Sequence, residues 1–241
     1  MSWLFVSDVD DTLLGGPERD LIQLMDGLAN RPAGCLVAYN SSRPCASLRN
    51  SLANEPHLRP PDYLIGALGT EMEEGKTRAP VTGYQAVFEA DGRWQRETVV
   101  AIIERWQLTP HAAQYQTPFK ASYDLPDAAL LPAIRAALQA AALEVQIIHS
   151  GGRHLDIIPR QAGKQTAVAF LRQKHRIAAE RVAVAGDSGN DRDMFIPPYR
   201  GIIVGNAGAD LRQLTGDHIY HAQLPQAAGV LEGLRHWRFL A

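Results

Sequence analysis

Short apolar runs alternate along the chain with segments whose apolar positions recur at helical spacing, and this order predicts parallel strands covered by helices. Residues 3–7 are an apolar run that meets acids and then Gly15-Gly16, so they read as a buried strand ending in a loop. Residues 17–30 follow as a helix. Residues 35–39 repeat the strand pattern and stop at Asn40-Ser41-Ser42-Arg43, after which Pro44 suits the first turn of a second helix. Residues 63–65 read as a third strand.

From about residue 80 the pattern changes. Helical segments at 97–107 and 127–143 interleave with stretches at 119–125, 144–149 and 153–158 that alternate apolar and polar residues, which suits an antiparallel sheet with one wet face. The parallel pattern returns with a helix at 163–174 and a strand at 182–185. The expected fold is therefore α/β: a Rossmann-like parallel-sheet core with helices on both faces, formed by residues 1–80 and 160–241, and an inserted α+β module at 81–159. Pro80 and Pro159 mark the two crossings.

Composition narrows the classes. A chain of 241 residues has length for one or two domains, and 46% hydrophobic with 21% charged residues is an ordinary globular balance. Lys plus Arg number 24 against 26 Asp plus Glu, so no cation excess is available to neutralise a nucleic acid backbone. The apolar stretch at 128–143 is broken by Pro132, Arg135 and Gln139, and neither a membrane span nor a secretory signal is expected. Cys35 and Cys45 are too few for a disulfide framework or a zinc set, and a reducing cytoplasm is the expected compartment.

The candidate chemistry lies in four loops at the carboxyl ends of strands, where open α/β sheets bind ligands. Asp8-Val9-Asp10-Asp11-Thr12 follows the first strand; carboxylates this close carry a cation, a shared proton or both, or else cap the next helix. A calcium loop fails on spacing, because its sixth position is Leu13 and its twelfth Arg19. Ser41-Ser42-Arg43 offers hydroxyls and amides at a helix N-terminus. Lys164 opens a later helix, and Gly186-Asp187-Ser188-Gly189-Asn190-Asp191 suits a metal or phosphate loop better than a core. Each is weak alone. Together they are the parts of a metal-assisted phosphoryl-transfer site. His111, His149 and His154 match no familiar zinc spacing and read as surface or cap-sheet residues; the basic, aromatic residues 234–240 read as packing of a last helix.

These loops, in this order, resemble those of the haloacid dehalogenase-like phosphohydrolases. The chain is most similar to the sucrose-6-phosphate phosphatase family, through Pro61-Asp62-Tyr63, Gly69-Thr70-Glu71, Phe119-Lys120-Ala121-Ser122-Tyr123 and the 156–159 stretch. The resemblance implies that Asp8 is the nucleophile forming an aspartyl-phosphate and that Asp10 is the general acid and base. Ser41, Ser42, Lys164 and Asn190 would hold the phosphoryl group. Asp8, Asp10 through its carbonyl, and Asp187 would hold Mg²⁺, with Asp191 at the same centre. The inserted module would be a cap that selects the sugar through Glu71, Lys120, Tyr123, Ser150 and Asp156.

Two positions depart from the family pattern: Ser42 and Gln165 stand where glycine is usual. The implied activity is hydrolysis of sucrose 6-phosphate. Alternatives are a phosphatase for mannosylfructose phosphate or glucosylglycerol phosphate, a phosphosugar mutase, and a non-catalytic sugar-binding protein. A glycosyl-phosphate synthase such as sucrose-phosphate synthase is the implied protein partner, with no sequence feature marking an interface.

Overall fold

A computed structural model describes residues 2–89 and 92–240. The chain begins with β1 (Leu4–Ser7), α1 (Glu18–Ala29), β2 (Leu36–Asn40), α2 (Cys45–Asn54), β3 (Tyr63–Gly66) and β4 (Glu71–Glu74). Next come α3 (Ala86–Glu89), α4 (Arg96–Ile103), β5 (Thr109–Pro110), β6 (Ala121–Asp124), α5 (Leu131–Ala140), β7 (Val145–Ser150) and β8 (His154–Pro159). It closes with α6 (Lys164–Lys174), β9 (Val182–Gly186), β10 (Arg200–Ile203), α7 (Ala209–Arg212), β11 (Ile219–His221) and α8 (Gln226–His236).

The larger sheet has seven strands in the order β11-β10-β9-β1-β2-β3-β4. Its neighbours are parallel except the β3–β4 pair. In central β1, Leu4 faces Leu36 on one side and Val182 on the other, and the whole strand is buried. A strand covered on both faces needs a continuous apolar run, which is what residues 4–6 supply. The chain leaves β1 toward β2 and β3 in one direction and returns at β9 to β11 in the other. The loops after β1, β2 and β9 therefore open at one topological switch point.

β4 carries Glu71, Met72, Glu73 and Glu74, and its polarity hid it from hydrophobic patterning. Charge partners hold it instead. Glu71 Oε2 accepts a hydrogen bond from Cys45 N at 2.7 Å, and Arg49 Nη1 meets Glu73 at 2.6 Å. The helix expected at 127–143 starts as a 3₁₀ turn at Ala128–Leu130, capped by Asp127 accepting from Ala129 N, before α5 begins with Pro132 in its first turn.

The smaller sheet is four-stranded and antiparallel, ordered β5-β6-β8-β7. Ala121, Tyr123, Leu155 and Ile157 form a second hydrophobic cluster with Val99 and Ile103 of α4 and Ile134 and Leu138 of α5. Side chains alternate between the faces of a strand, so Lys120, Ser122, Asp124, His154 and Asp156 fall on the other face.

One tight segment joins the sheet to the crevice. Ala67, Leu68 and Gly69 all have positive φ (49°, 59° and 77°), and this turn donates Ala67 N to Arg43 O and Leu68 N to Ser41 O at 2.8 and 3.0 Å. A Cβ on Gly69 would lie 2.2 Å from Gly163 O, at the entrance to α6. Gly83 also has positive φ (80°) but open space around it. In urea unfolding, Gly83→Ala is expected to cost about 1 kcal/mol for left-handed backbone alone. Gly69→Ala is expected to lose a further ~1–3 kcal/mol from the overlap with Gly163.

Candidate active site

Asp8 continues the β1 ladder, its N–H donating to Ala185 O at 3.0 Å, and its carboxylate enters the crevice at the end of the strand. Lys164 is the first residue of α6, and Asn40 at the end of β2 fixes it by donating from Nδ2 to the Lys164 carbonyl at 3.0 Å. The Lys164 Nζ lies 2.7 Å from Asp8 Oδ1 and 2.6 Å from Asp191 Oδ1, and all three side chains are buried. Asp191 holds the loop after β9 in shape through a capping box, its Oδ2 accepting from Asp187 N and Ser188 N at 3.0 and 3.1 Å. Thr12 Oγ1 donates to Asp187 Oδ1 at 3.2 Å, tying the loop after β1 to the loop after β9.

The electrostatics are unbalanced. Asp8, Asp187 and Asp191 bring carboxylate oxygens within 4.8 Å of one another around a single ammonium. Burial, opposed by Lys164 and reinforced by Asp191 and Asp187, raises Asp8 well above the usual carboxylate range. Burial and then Asp191 push Asp187 up to about 7. Burial pulls Lys164 down, but the Asp191 and Asp8 charges outweigh it and hold the ammonium above its ordinary value. An excess of negative charge on hard oxygen donors is what a divalent cation such as Mg²⁺ satisfies, and the residues present fit one.

Across the crevice, Arg43 Nε pairs with half-exposed Asp10 Oδ2 at 2.8 Å. Ser41 Oγ accepts from Arg43 N at 3.1 Å, so the loop after β2 is braced from within. Ser42 takes ordinary negative backbone angles, which is why the chain accepts a side chain there. Gln165 donates its N–H to Asp193 Oδ2 at 3.1 Å in the first turn of α6.

A cleft of about 270 Å³ lies between the two sheets. Ser42, Arg43 and Asn190 line it from the larger unit, and His111, Tyr115, Lys120, Ser150, His154 and Asp156 from the smaller. Lys120 crosses the gap, donating from Nζ to Ser42 O at 2.9 Å, and lies 3.3 Å from Asp156 Oδ1, which also accepts from Ser122 Oγ at 2.5 Å. Asn190 Oδ1 and Arg43 Nη2 are buried without a hydrogen-bond partner among the described residues. An unmatched acceptor and donor on one cleft are costly until a polar ligand meets them.

Of the sugar-site candidates, Lys120, Ser150 and Asp156 line this cleft and two go elsewhere. Tyr123 is buried in the second hydrophobic cluster, because its odd position in β6 sends it to the face opposite Lys120. Glu71 serves the N-terminus of α2. Sequence reasoning passed over Tyr115, at the end of a short 3₁₀ turn (Ala113–Tyr115), and named Thr12 only as part of the loop after the first strand, since its partner is 175 residues away. His149 Nε2 donates to Leu125 O at 2.9 Å, a separate contact away from His111 and His154.

A largely parallel sheet with an inserted antiparallel one, and an aspartate, a serine, a lysine and an acid loop at its switch point, is the fold of the haloacid dehalogenase-like phosphatases, shared with the sugar phosphatase BT4131 at a TM-score of 0.71 and 14% identity over 99% of this chain and 100% of that one. The model of the sucrose-6F-phosphate phosphohydrolase family matches residues 1–238, and the chain belongs to that family. It is 36% identical to mannosylfructose-phosphate phosphatase of Agrobacterium fabrum, over 97% of this chain and 96% of that one. It is 30% identical to sucrose-phosphatase 1 of Nicotiana tabacum, over 97% of this chain but only 59% of the tobacco protein's length. The sucrose-phosphatase of Synechocystis, solved with sucrose and phosphate, superposes with a TM-score of 0.91 at 30% identity over 99% of both chains.

Removing the ammonium tests the charge arrangement. Lys164→Met is expected to lower phosphatase turnover by about 10²–10³. Because it strands Asp8 and Asp191 as buried, unpaired carboxylates, it is also expected to cost ~3–5 kcal/mol in chemical unfolding.

Proposed function

We propose that this chain hydrolyses the phosphate ester of a fructose-containing disaccharide, with sucrose 6-phosphate as substrate, through an aspartyl-phosphate on Asp8. The observation that carries the reading is the joining of the two halves of such a site: the Asp8–Lys164–Asp191 cluster on one side, and on the other a polar cleft reached by Lys120 from the inserted sheet. The Synechocystis relative that holds sucrose and phosphate supports it.

In the first step an Asp8 carboxylate oxygen forms a bond to phosphorus while the bond from phosphorus to the sugar oxygen breaks, and Asp10 gives that oxygen its proton. Water then attacks phosphorus, its proton passes to Asp10, and Asp8 and inorganic phosphate are released. Lys164 at the N-terminus of α6 offsets charge on the phosphoryl oxygens, with Ser41, Ser42 and Asn190 placed to hold them. Asp8, Asp187 and the Asp10 carbonyl would hold Mg²⁺, which when bound supplies further neutralisation of phosphoryl charge. Residues 81–159 act in this reading as the cap, excluding water and gripping the remote hexose through Lys120, Ser150 and Asp156.

Mannosylfructose phosphate is the second reading, favoured by the 36% identity to the Agrobacterium enzyme along nearly the full length of both chains. Glucose and mannose differ only in the configuration of one hydroxyl, so the choice rests on the cleft side chains and not on the reacting residues. The enzyme class that supplies either substrate is a glycosyl-phosphate synthase, the partner this reading implies. Among the described residues no helix is long and apolar enough to cross a membrane, and Cys35 and Cys45 are buried and not joined in a disulfide.

Phosphate release is the test, measured on sucrose 6-phosphate, mannosylfructose phosphate, glucosylglycerol phosphate and fructose 6-phosphate. Selective release from sucrose 6-phosphate, lost on chelation and in Asp8→Asn and lowered about 10²–10⁴ in Asp10→Asn, is the expected result. Preference for another glycoside would overturn the substrate; isomer formation without phosphate release, or sugar binding without turnover, would overturn the reaction. Lys120→Ala is expected to raise KM for the preferred disaccharide phosphate while leaving release from a small aryl phosphate close to native.

A further inference from the structure

His111, Asp124 and His154 sit far apart in sequence, yet three adjoining strands of the smaller sheet bring them together. Asp124 and His154 are register partners in the β6–β8 pair, and Thr109 of β5 faces Asp124 from the other side. His111, just past β5, is held by its N–H donating to Ser122 O at 3.0 Å. Register partners share a face of an antiparallel sheet, so the backbone itself aims the three side chains at one point.

The distances have the shape of a metal face. His154 Nδ1 lies 3.4 Å from His111 Nε2, which lies 3.5 Å from Asp124 Oδ1, and the third side of the triangle is 4.0 Å. Tetrahedral zinc with ligand bonds near 2.0–2.2 Å spaces its donor atoms about 3.3–3.6 Å apart. Two imidazoles and a carboxylate make a borderline donor set, unlike the all-carboxylate set at Asp8, Asp187 and Asp191. The two histidines also line the cleft that holds Lys120 and Asp156.

We propose that His111, Asp124 and His154 form a second cation site, for Zn²⁺ or a similar borderline divalent metal, on the rim of the cleft and separate from the carboxylate centre. Three protein ligands leave one coordination position open, as in zinc sites that keep a water or bind a ligand oxygen. Arg153 is the competing cation. Its Nε and Nη2 both lie 3.1 Å from Asp124 Oδ1, the same oxygen the histidines approach.

The experiment titrates Zn²⁺ into the full-length Asp187→Asn chain, in which the carboxylate centre is disabled, by calorimetry and by ¹⁵N resonances of the histidine rings. One equivalent is expected to bind with shifts at the His111 and His154 rings and none at His149, while Mg²⁺ leaves all three unmoved. His111→Gln and His154→Gln are each expected to weaken binding at least ~10-fold. Arg153→Ala, freeing Asp124 Oδ1, is expected to tighten it. Zn²⁺ binding that survives both glutamine substitutions, ring shifts elsewhere, or no saturable binding in the parent chain would overturn the site. Thermal melting of the metal-free variants separates a lost ligand from a lost fold, and a variant that melts as the parent does but still binds equally well counts against the proposal.

Discussion

A lysine ammonium buried against two carboxylates, with a third close by, is the constraint around which this molecule is built. Lys164, Asp8 and Asp191 come from a helix start, a strand end and a loop, so their convergence requires β1, β9 and α6 to meet at one place. Each of the surrounding oddities serves that meeting. The left-handed turn at residues 67–69 lets the chain pass against Gly163, the capping box shapes the loop carrying Asp187 and Asp191, and Asn40 clamps the Lys164 carbonyl. One ammonium does not neutralise the cluster, and an incoming phosphate ester adds further negative charge. Arg43 supplies positive charge at the rim, and the charge left over at the carboxylates is what a bound divalent cation would offset.

The smaller sheet meets this centre through a division of labour between its two faces. One face is apolar and packs against α4 and α5, so the sheet has a core of its own. The opposite face carries Lys120, Ser122, Asp124, His154 and Asp156 toward the larger unit. Lys120 then touches the backbone of Ser42, so a side chain on the polar face of the smaller sheet shares a hydrogen bond with the loop after β2. In the proposed reading, sugar selection and phosphate handling are thus in physical contact.

Much of this was legible in the sequence because burial on both sides of a parallel strand leaves a continuous apolar run, and residues 4–6 and 182–185 are such runs. The acid pair, the serine loop, Lys164 and the late acid loop were legible for the opposite reason: they are polar where a strand or helix has just ended. What escaped was set by distant partners. β4 is a strand because Arg49 and the start of α2 meet its glutamates, and no local pattern reports that. Tyr123 was grouped with Lys120 through motif similarity, whereas the two-residue period of β6 assigns them to opposite faces. His111 and His154 had no recognisable spacing, since the sheet register, not the interval between them, brings their rings together.

The glutamate-rich end of the large sheet has one more consequence. β4 would leave a row of unpaired amides and carbonyls along its outer side, an invitation to pairing with another chain. Residues 79–81 fold back over it, with Glu74 N donating to Ala79 O, Val81 N to Met72 O, and Pro80 bridging Glu73. A proline in that outermost position has no N–H to offer a further strand. The same residue that leads the chain out toward the smaller sheet therefore also stops the larger sheet from growing, and guards the enzyme against edge-to-edge aggregation.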